Sequence, residues 1–228
     1  MQFETIVALV PMRHHSQRVP QKNFREIAGK PLYYHILTTL QSCPEISGIV
    51  VDTDSPVILQ GLEKDFPRVI RIERPETLRD DTVPMNDVLL HDISQASADL
   101  YLQTHSTNPL LSAETISRAI HSFKMDTAGH DSLFSVTRMQ TRLWDQQVKP
   151  INHDPNILLQ TQDLPPVFEE NSCIYLFTAD NLRQRKNRMG IDPLMFEIPP
   201  QEALDIDEES DFLMAEILLQ ARQKGKLV

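Results

Sequence analysis

The sequence predicts an α/β domain, a mostly parallel sheet with helices on both faces. Short apolar, β-branched runs alternate with amphipathic stretches from near the start of the chain to residue 137, and such βα alternation folds into a parallel sheet wrapped by helices. Several of these runs are apolar at consecutive positions, as suits strands buried on both faces. With 228 residues, 40% of them hydrophobic and 24% charged, the chain has enough apolar material for one globular core. Residues 1–228 are therefore read as one domain.

Residues 5–10 (TIVALV) make the first strand, which ends at Pro11-Met12-Arg13. A loop runs to about Gly29, and Lys30-Pro31-Leu32 opens a helix, proline being tolerated in a first turn where its missing N–H costs little. Residues 46–52 form the second strand, 56–64 a helix, 68–73 the third strand, 84–98 a helix and 99–104 (DLYLQT) the fourth strand. Ser112 is placed to cap a helix over 112–125, with Thr115 in its first turn. Residues 132–137 are a further strand. From 142 to 170 the alternation stops, and Gln, Asn and Pro dominate. An irregular stretch of this length inside a compact domain is usually functional or a contact with another chain, so 142–170 is read as an inserted lid or dimerisation segment. The pattern resumes with a strand at 172–177, a helix at 179–185, a strand at 195–199 and a final helix over 208–224. Ligands of such sheets sit at the carboxyl ends of the strands, which puts Arg13, Asp52 and His105 on one rim.

The formal net charge of −10 argues against a nucleic-acid partner held by general electrostatics. A phosphate-bearing ligand must then meet a local basic pocket. Cys43 and Cys173 lie far apart without metal-ligand spacing, so neither a disulfide framework nor a zinc site is expected. The chain enters directly into a strand pattern, with no signal-like segment, and no stretch is suited to crossing a bilayer. A cytoplasmic protein without a membrane partner is expected.

Arg13, Arg18 and Lys22 fall within ten residues of one another after the first strand, beside Ser16. Arginine forks bind phosphate oxygens at two points, lysine adds a compact charge, and a hydroxyl completes such a shell. A solvated basic loop is the ordinary reading of these letters, but the position after a buried strand favours a phosphate cradle. The glycine-lysine loop of P-loop enzymes is missing.

This loop resembles the phosphate-binding loop of the cytidylyltransferases that make CMP-sialic acid and CMP-KDO. Arg13, Ser16, Pro20, Lys22, Asn23, Arg25 and Gly29-Lys30-Pro31-Leu32 fit the sialate branch, whereas Arg18 resembles the KDO branch. His14-His15 stands where sialate enzymes usually have a glycine pair. Arg74-Pro75-Glu76 with Arg79-Asp80-Asp81-Thr82, followed by Asn86, resembles the family's RP-x-x-L-x-x-D-T. YLQTHSTNPLL resembles LLQPTSPLR, with either Gln103 or His105 at the sugar-contacting glutamine and Leu111 replacing an arginine. In an extended strand residues 103 and 105 point to the same face, so either side chain could reach a ligand. Glu170-Asn171-Ser172-Cys173-Ile174-Tyr175 parallels N-G-A-I-Y, with serine and cysteine replacing glycine and alanine. Residues 203–212 (ALDIDEESDF) are close to S-I-D-I-D-T-x-x-D-L. Asp205 and Asp207 share one face of an extended segment, and hard carboxylate oxygens suit Mg²⁺. Asp207 as N-cap of the last helix is a compatible reading.

The resemblance, which spans nearly the whole chain, implies a Rossmann-like sheet of the nucleotide-diphospho-sugar transferase type and transfer of CMP from CTP to the anomeric hydroxyl of a sialic-acid-like sugar. It implies nucleotide contacts from Arg13, Ser16, Arg18, Lys22, Asn23, Asp81 and Thr82, and sugar contacts from Gln103, His105 and Asn171. Arg13, Lys22, Asp205 and Asp207 become the catalytic set, with Mg²⁺ on Asp205 and Asp207, and a homodimer forms through 142–170. A metal-bound water or His105 is the candidate for deprotonating the hydroxyl. Three other readings stay open: a KDO or other ulosonic-acid enzyme, a degenerate nucleotide-binding protein of the same fold, and a nucleotidyltransferase for an unrelated acceptor.

Overall fold

Strand β1 (Ile6–Leu9) is buried at all four positions, and its side chains divide by parity, as a pleated strand requires. Ile6 and Ala8 join one apolar cluster and Val7 and Leu9 another on the opposite face. That division is why the sheet carries helices on both sides. In the computed structural model, which describes residues 3–226, β1 is followed by a small hairpin of β2 (Glu26–Ile27) and β3 (Lys30–Pro31). Ala28 and Gly29 turn it with φ of 50° and 84°, a left-handed conformation that glycine adopts without penalty. Lys30 and Pro31 therefore belong to the hairpin rather than to the expected helix, and α1 (Leu32–Gln41) begins two residues later than expected.

The chain continues as β4 (Gly48–Thr53), α2 (Pro56–Asp65), β5 (Ile70–Glu73), α3 (Met85–Gln95), β6 (Leu100–Gln103), α4 (Ala113–Lys124), β7 (Ser132–Met139), β8 (Val167–Phe177), α5 (Ala179–Arg185), β9 (Pro193–Glu197) and α6 (Glu209–Gln223). Ser112 does cap α4, its hydroxyl accepting from Thr115 N at 3.1 Å. One seven-stranded sheet runs β5-β4-β1-β6-β8-β7-β9. β8 is antiparallel to both of its neighbours, and the other pairings are parallel. The exception has a local cause: no crossover helix separates β7 from β8, so the chain can only return antiparallel. Core residues of α1, α2 and α4 fill one face of the sheet, while α3 and α5 cover the other. A third cluster joins Val19 and Ile27, after β1, to Ile206 and Phe212 near the other end of the chain.

Two expectations change. Asp52 does not reach the rim: it is fully buried, and its carboxylate accepts from Arg74 Nε while Arg74 Nη2 donates to its carbonyl at 3.2 Å. Pairing of β4 with β5 continues to Thr53, which keeps Asp52 inside the sheet. Residues 167–170, expected within the insertion, are the start of β8 and pair with the end of β7 (Val136↔Glu170, Met139↔Val167). Both cysteines are free and buried. Burial pushes the Cys43 thiol up to about 12 and raises that of Cys173 as well, so neither is a ready thiolate. Among the described residues no helix is long and apolar enough to cross a membrane.

Candidate active site

A cavity of about 590 Å³ opens where β1 and β6 end, lined from the β1 loop by Arg13, His15, Ser16, Gln17, Arg18 and Lys22. Arg13 Nη1 donates to Asp81 Oδ1 at 2.5 Å and Gln17 Nε2 to Asp81 Oδ2 at 2.9 Å. These bonds draw the basic loop towards the segment preceding α3. Asn23 fastens the loop from below: its amide donates to Arg13 O at 2.7 Å and accepts from Ser106 Oγ at 2.7 Å. Although Asn23 borders the cavity, both ends of its amide are engaged, so its work here is to hold the loop. The histidine pair separates. His14 turns inward, its N–H on Asp54 Oδ1 at 2.7 Å, its Nδ1 at 2.8 Å from Ser55 Oγ and its ring stacked on Phe24, leaving His15 to face the cavity.

Asp205 and Asp207 line the same cavity. Ile206 between them is fully buried in the third cluster, and its N–H bonds Thr107 O at 3.0 Å. An extended segment with its middle side chain in the core presents its two neighbours on the opposite face. Asp207 Oδ1 meets Arg18 Nη2 at 2.7 Å and Lys22 Nζ at 3.7 Å. Lys22, 13% exposed at the side chain, also donates to Ile206 O at 2.5 Å. Asp207 is not the cap of α6. Glu208 is, in a capping box with Asp211, whose carboxylate also takes the Asp207 N–H at 3.0 Å. The Asp207 carboxylate is thereby released to the cavity.

Asp205 Oδ1 is buried without a hydrogen-bond partner. Burial first, and the Asp207 charge with it, raise the Asp205 carboxyl above its usual range, while the nearby Thr107 side chain and Lys22 lower it. An orphaned carboxylate oxygen beside a second carboxylate calls for a cation. The donor set fits Mg²⁺.

On the acceptor side, the structure separates Gln103 from His105. Gln103 is fully buried; its Nε2 lies 2.9 Å from His105 Nε2, and its Oε1 accepts from Arg188 Nη1 at 2.7 Å. With Oε1 taken by an arginine, the amide donates to His105, which leaves the imidazole proton on Nδ1. Burial, then Arg188 and Lys22, lower the His105 pKa to about 4. His105 is thus a neutral group at the cavity wall, with one nitrogen already occupied. Thr82 and Asn171 do not line the cavity. Thr82 is folded onto Asp80 through its N–H and hydroxyl, and Asn171 bonds Ser135 and Thr137 on β7. Ser172, in the left-handed region at φ 59°, reaches the cavity instead.

Sequence reasoning did not single out Gln17, Met85, Ser106 and Thr107, which border the cavity, or Arg188, which orients Gln103. Gln17 lies within the basic loop after β1, and Ser106 and Thr107 lie within the polar turn after β6, so position within a motif is the signal the sequence offers for them.

A family model described as cytidylyltransferase matches residues 7–223. The CMP-N,N'-diacetyllegionaminic acid synthase of Legionella pneumophila is 31% identical, covering 96% of this chain and 98% of that protein. N-acylneuraminate cytidylyltransferase A of Danio rerio is 24% identical over 92% of this chain, which spans about half (50%) of the fish protein's length. A solved structure of CMP:2-keto-3-deoxy-manno-octonic acid synthetase complexed with CTP superposes with a TM-score of 0.71 at 16% identity, covering 96% of this chain and 99% of that one. At that identity the likeness is one of fold.

Proposed function

The chain belongs to the cytidylyltransferase family, and we propose that it transfers CMP from CTP to the anomeric hydroxyl of an acidic 2-keto sugar of the sialic-acid kind, legionaminic acid included, releasing pyrophosphate. The observation that carries this reading is the convergence, in one cavity, of Arg13, Arg18 and Lys22 with Asp205 and Asp207 from the opposite end of the chain. Arg18–Asp207 and Arg13–Asp81 are half-exposed pairs, worth about 0–1 kcal/mol each. Charge-assisted bonds to an ionised phosphate are worth about 1.5–3 kcal/mol, so an incoming triphosphate can displace these partners. The three cations then take up charge as it moves onto the leaving pyrophosphate.

Asp205 and Asp207 would hold Mg²⁺, which when bound supplies charge neutralisation along the phosphates. Ser16, which lines the cavity, would donate to a phosphate oxygen, and Asp81, relieved of Arg13, would stay near the nucleotide. His105, neutral and oriented by Gln103 and Arg188, would donate from Nδ1 to the sugar; with Nε2 taken, it is a poor base. We assign Asn171 and Thr82 the support of neighbouring segments rather than direct contact. A cytoplasmic setting suits the two free, buried cysteines and the supply of CTP. A homodimer through residues 140–166 suits the large apolar side chains exposed there.

The test is pyrophosphate release from CTP and Mg²⁺ across sialic, legionaminic, pseudaminic and KDO-type sugars, with ATP, GTP and UTP as controls and product mass as a second readout. Release that needs CTP together with one acidic sugar, yielding its CMP adduct, is expected. CTP binding without turnover on any of these sugars would overturn the reading.

A further inference from the structure

Away from the cavity, α3 places an acid on its apolar face. Val88, Leu89, Asp92 and Ile93 are the buried positions of this helix, and Asp92 is 0% exposed. Opposite it, at the end of β4, stands the equally buried Asp52. His91, the neighbour of Asp92, brings its Nδ1 to 3.6 Å from Asp52 Oδ2 and to 3.6 Å from Asp92 Oδ1. One ligand atom from each of the three lies within 4.8 Å of the others. The two His91 separations are too long for hydrogen bonds. Among the described residues, Asp52 Oδ2, His91 Nδ1 and both oxygens of Asp92 have no hydrogen-bond partner; burial, then the facing Asp52 carboxylate, raise the Asp92 carboxyl to about 9. Four buried polar atoms left unsatisfied in one small cluster are costly.

The spacing describes what would satisfy them. Tetrahedral ligands about 2.1 Å from a metal lie roughly 3.4 Å from one another, close to the observed 3.6 Å edges. A mixed set of one imidazole nitrogen and two carboxylate oxygens suits a divalent transition ion rather than Mg²⁺. Arg74 supplies the outer shell, holding the remaining oxygen of Asp52 and its carbonyl, as ligating carboxylates are commonly held. The His91 side chain is 24% exposed, while its Nδ1 is buried against the two carboxylates, so an ion would enter as the ring turns aside.

We propose that Asp52, His91 and Asp92 form a second cation site, for Zn²⁺ or a similar divalent transition ion, that pins α3 to the end of β4. It is separate from the Asp205–Asp207 pair and does not depend on the reaction assigned to the cavity. The competing way to satisfy the same atoms is a proton shared between Asp52 and Asp92.

The test uses the full chain, stripped of metal and titrated with Zn²⁺ and with Co²⁺, read by calorimetry, metal content and the visible absorption of four-coordinate Co²⁺. One equivalent should bind and raise Tm. His91→Ala, at a partly exposed position, should weaken binding by about 100-fold or more, as should Asp92→Asn, which keeps the shape and removes the charge. Asp205→Asn should leave this site intact. If either ion binds only at the Asp205 site, or if Asp92→Asn is as stable as the parent and takes up metal equally well, the shared proton is the correct account and the proposal falls.

Discussion

Asp205 is held under stress by its surroundings, and the direction of that stress makes a prediction. Its carboxyl is raised above the ordinary range, chiefly by burial and further by Asp207. A group whose folded pKa exceeds its unfolded one stabilises the fold fully below the unfolded value, and the benefit is lost as pH rises through the folded value. At neutral pH the ionised carboxylate is therefore a cost to folding. Asp205→Asn should have an unchanged or higher Tm than the parent at pH 7, with the gap closing at about pH 4 and below, where both forms are uncharged. CTP turnover in Mg²⁺ should meanwhile fall by about 100-fold or more. Thermal melts and pyrophosphate release check the two halves separately, and a variant that melts lower at neutral pH or keeps its turnover contradicts the assignment. The basic loop and both aspartates were legible in the sequence because each motif is local. Arg188 was not, since its partner Gln103 is 85 positions away and nothing in the letters around it announces a distant amide.

Among the elements, the segment before α6 shows how an extended run becomes a site. Ile206 anchors it in the third cluster, the loop after β6 receives its N–H through Thr107, and Glu202 bonds Ser112 at the start of α4 through N–H and hydroxyl at 2.8 and 3.0 Å. Ile206→Ala should cost about 2–5 kcal/mol, or roughly 5–15 °C in Tm for a chain of this size. It should also lower kcat/KM although the side chain touches no reactant, because the flanking carboxylates lose their fixed direction. Ile206→Val, about 1 kcal/mol, should keep most turnover. An alanine variant as active as the parent at a temperature where it is folded would show that the anchor does not position the pair. Helix α4 and its Ser112 cap could be read from the sequence, because a cap is a contact across three residues. The burial of Asp52 could not, because it is fixed by which strand lies alongside, a tertiary choice to which period-two patterning is blind; the β8 reversal and the β2–β3 hairpin rest on connections whose geometry that patterning does not report.

For the molecule as a whole, the unmatched feature is the surface between β7 and β8. Leu158 is 90% exposed, and Ile151, Ile157, Trp144 and Leu159 accompany it. Apolar side chains so concentrated on one irregular segment mark an interaction surface more often than a solvated loop. The segment keeps its shape through its own backbone carbonyls: Gln140 bonds the carbonyls of Gln162 and Leu164, and Asn152 those of Thr141 and Pro165. A preformed apolar arm of this kind suits a second copy of the chain, since symmetric association lets one patch serve both subunits. Light scattering should then give twice the 26.2 kDa chain mass. Replacing both Ile157 and Leu158 by Glu should yield a monomer with the parent's circular dichroism and CTP affinity. Turnover would then separate two roles for the arm. A monomer that still reacts with its sugar has an arm used for assembly alone, whereas one that binds CTP but fails with the sugar draws part of its acceptor site from the partner. A parent protein that is monomeric at assay concentrations would remove the dimer from the account.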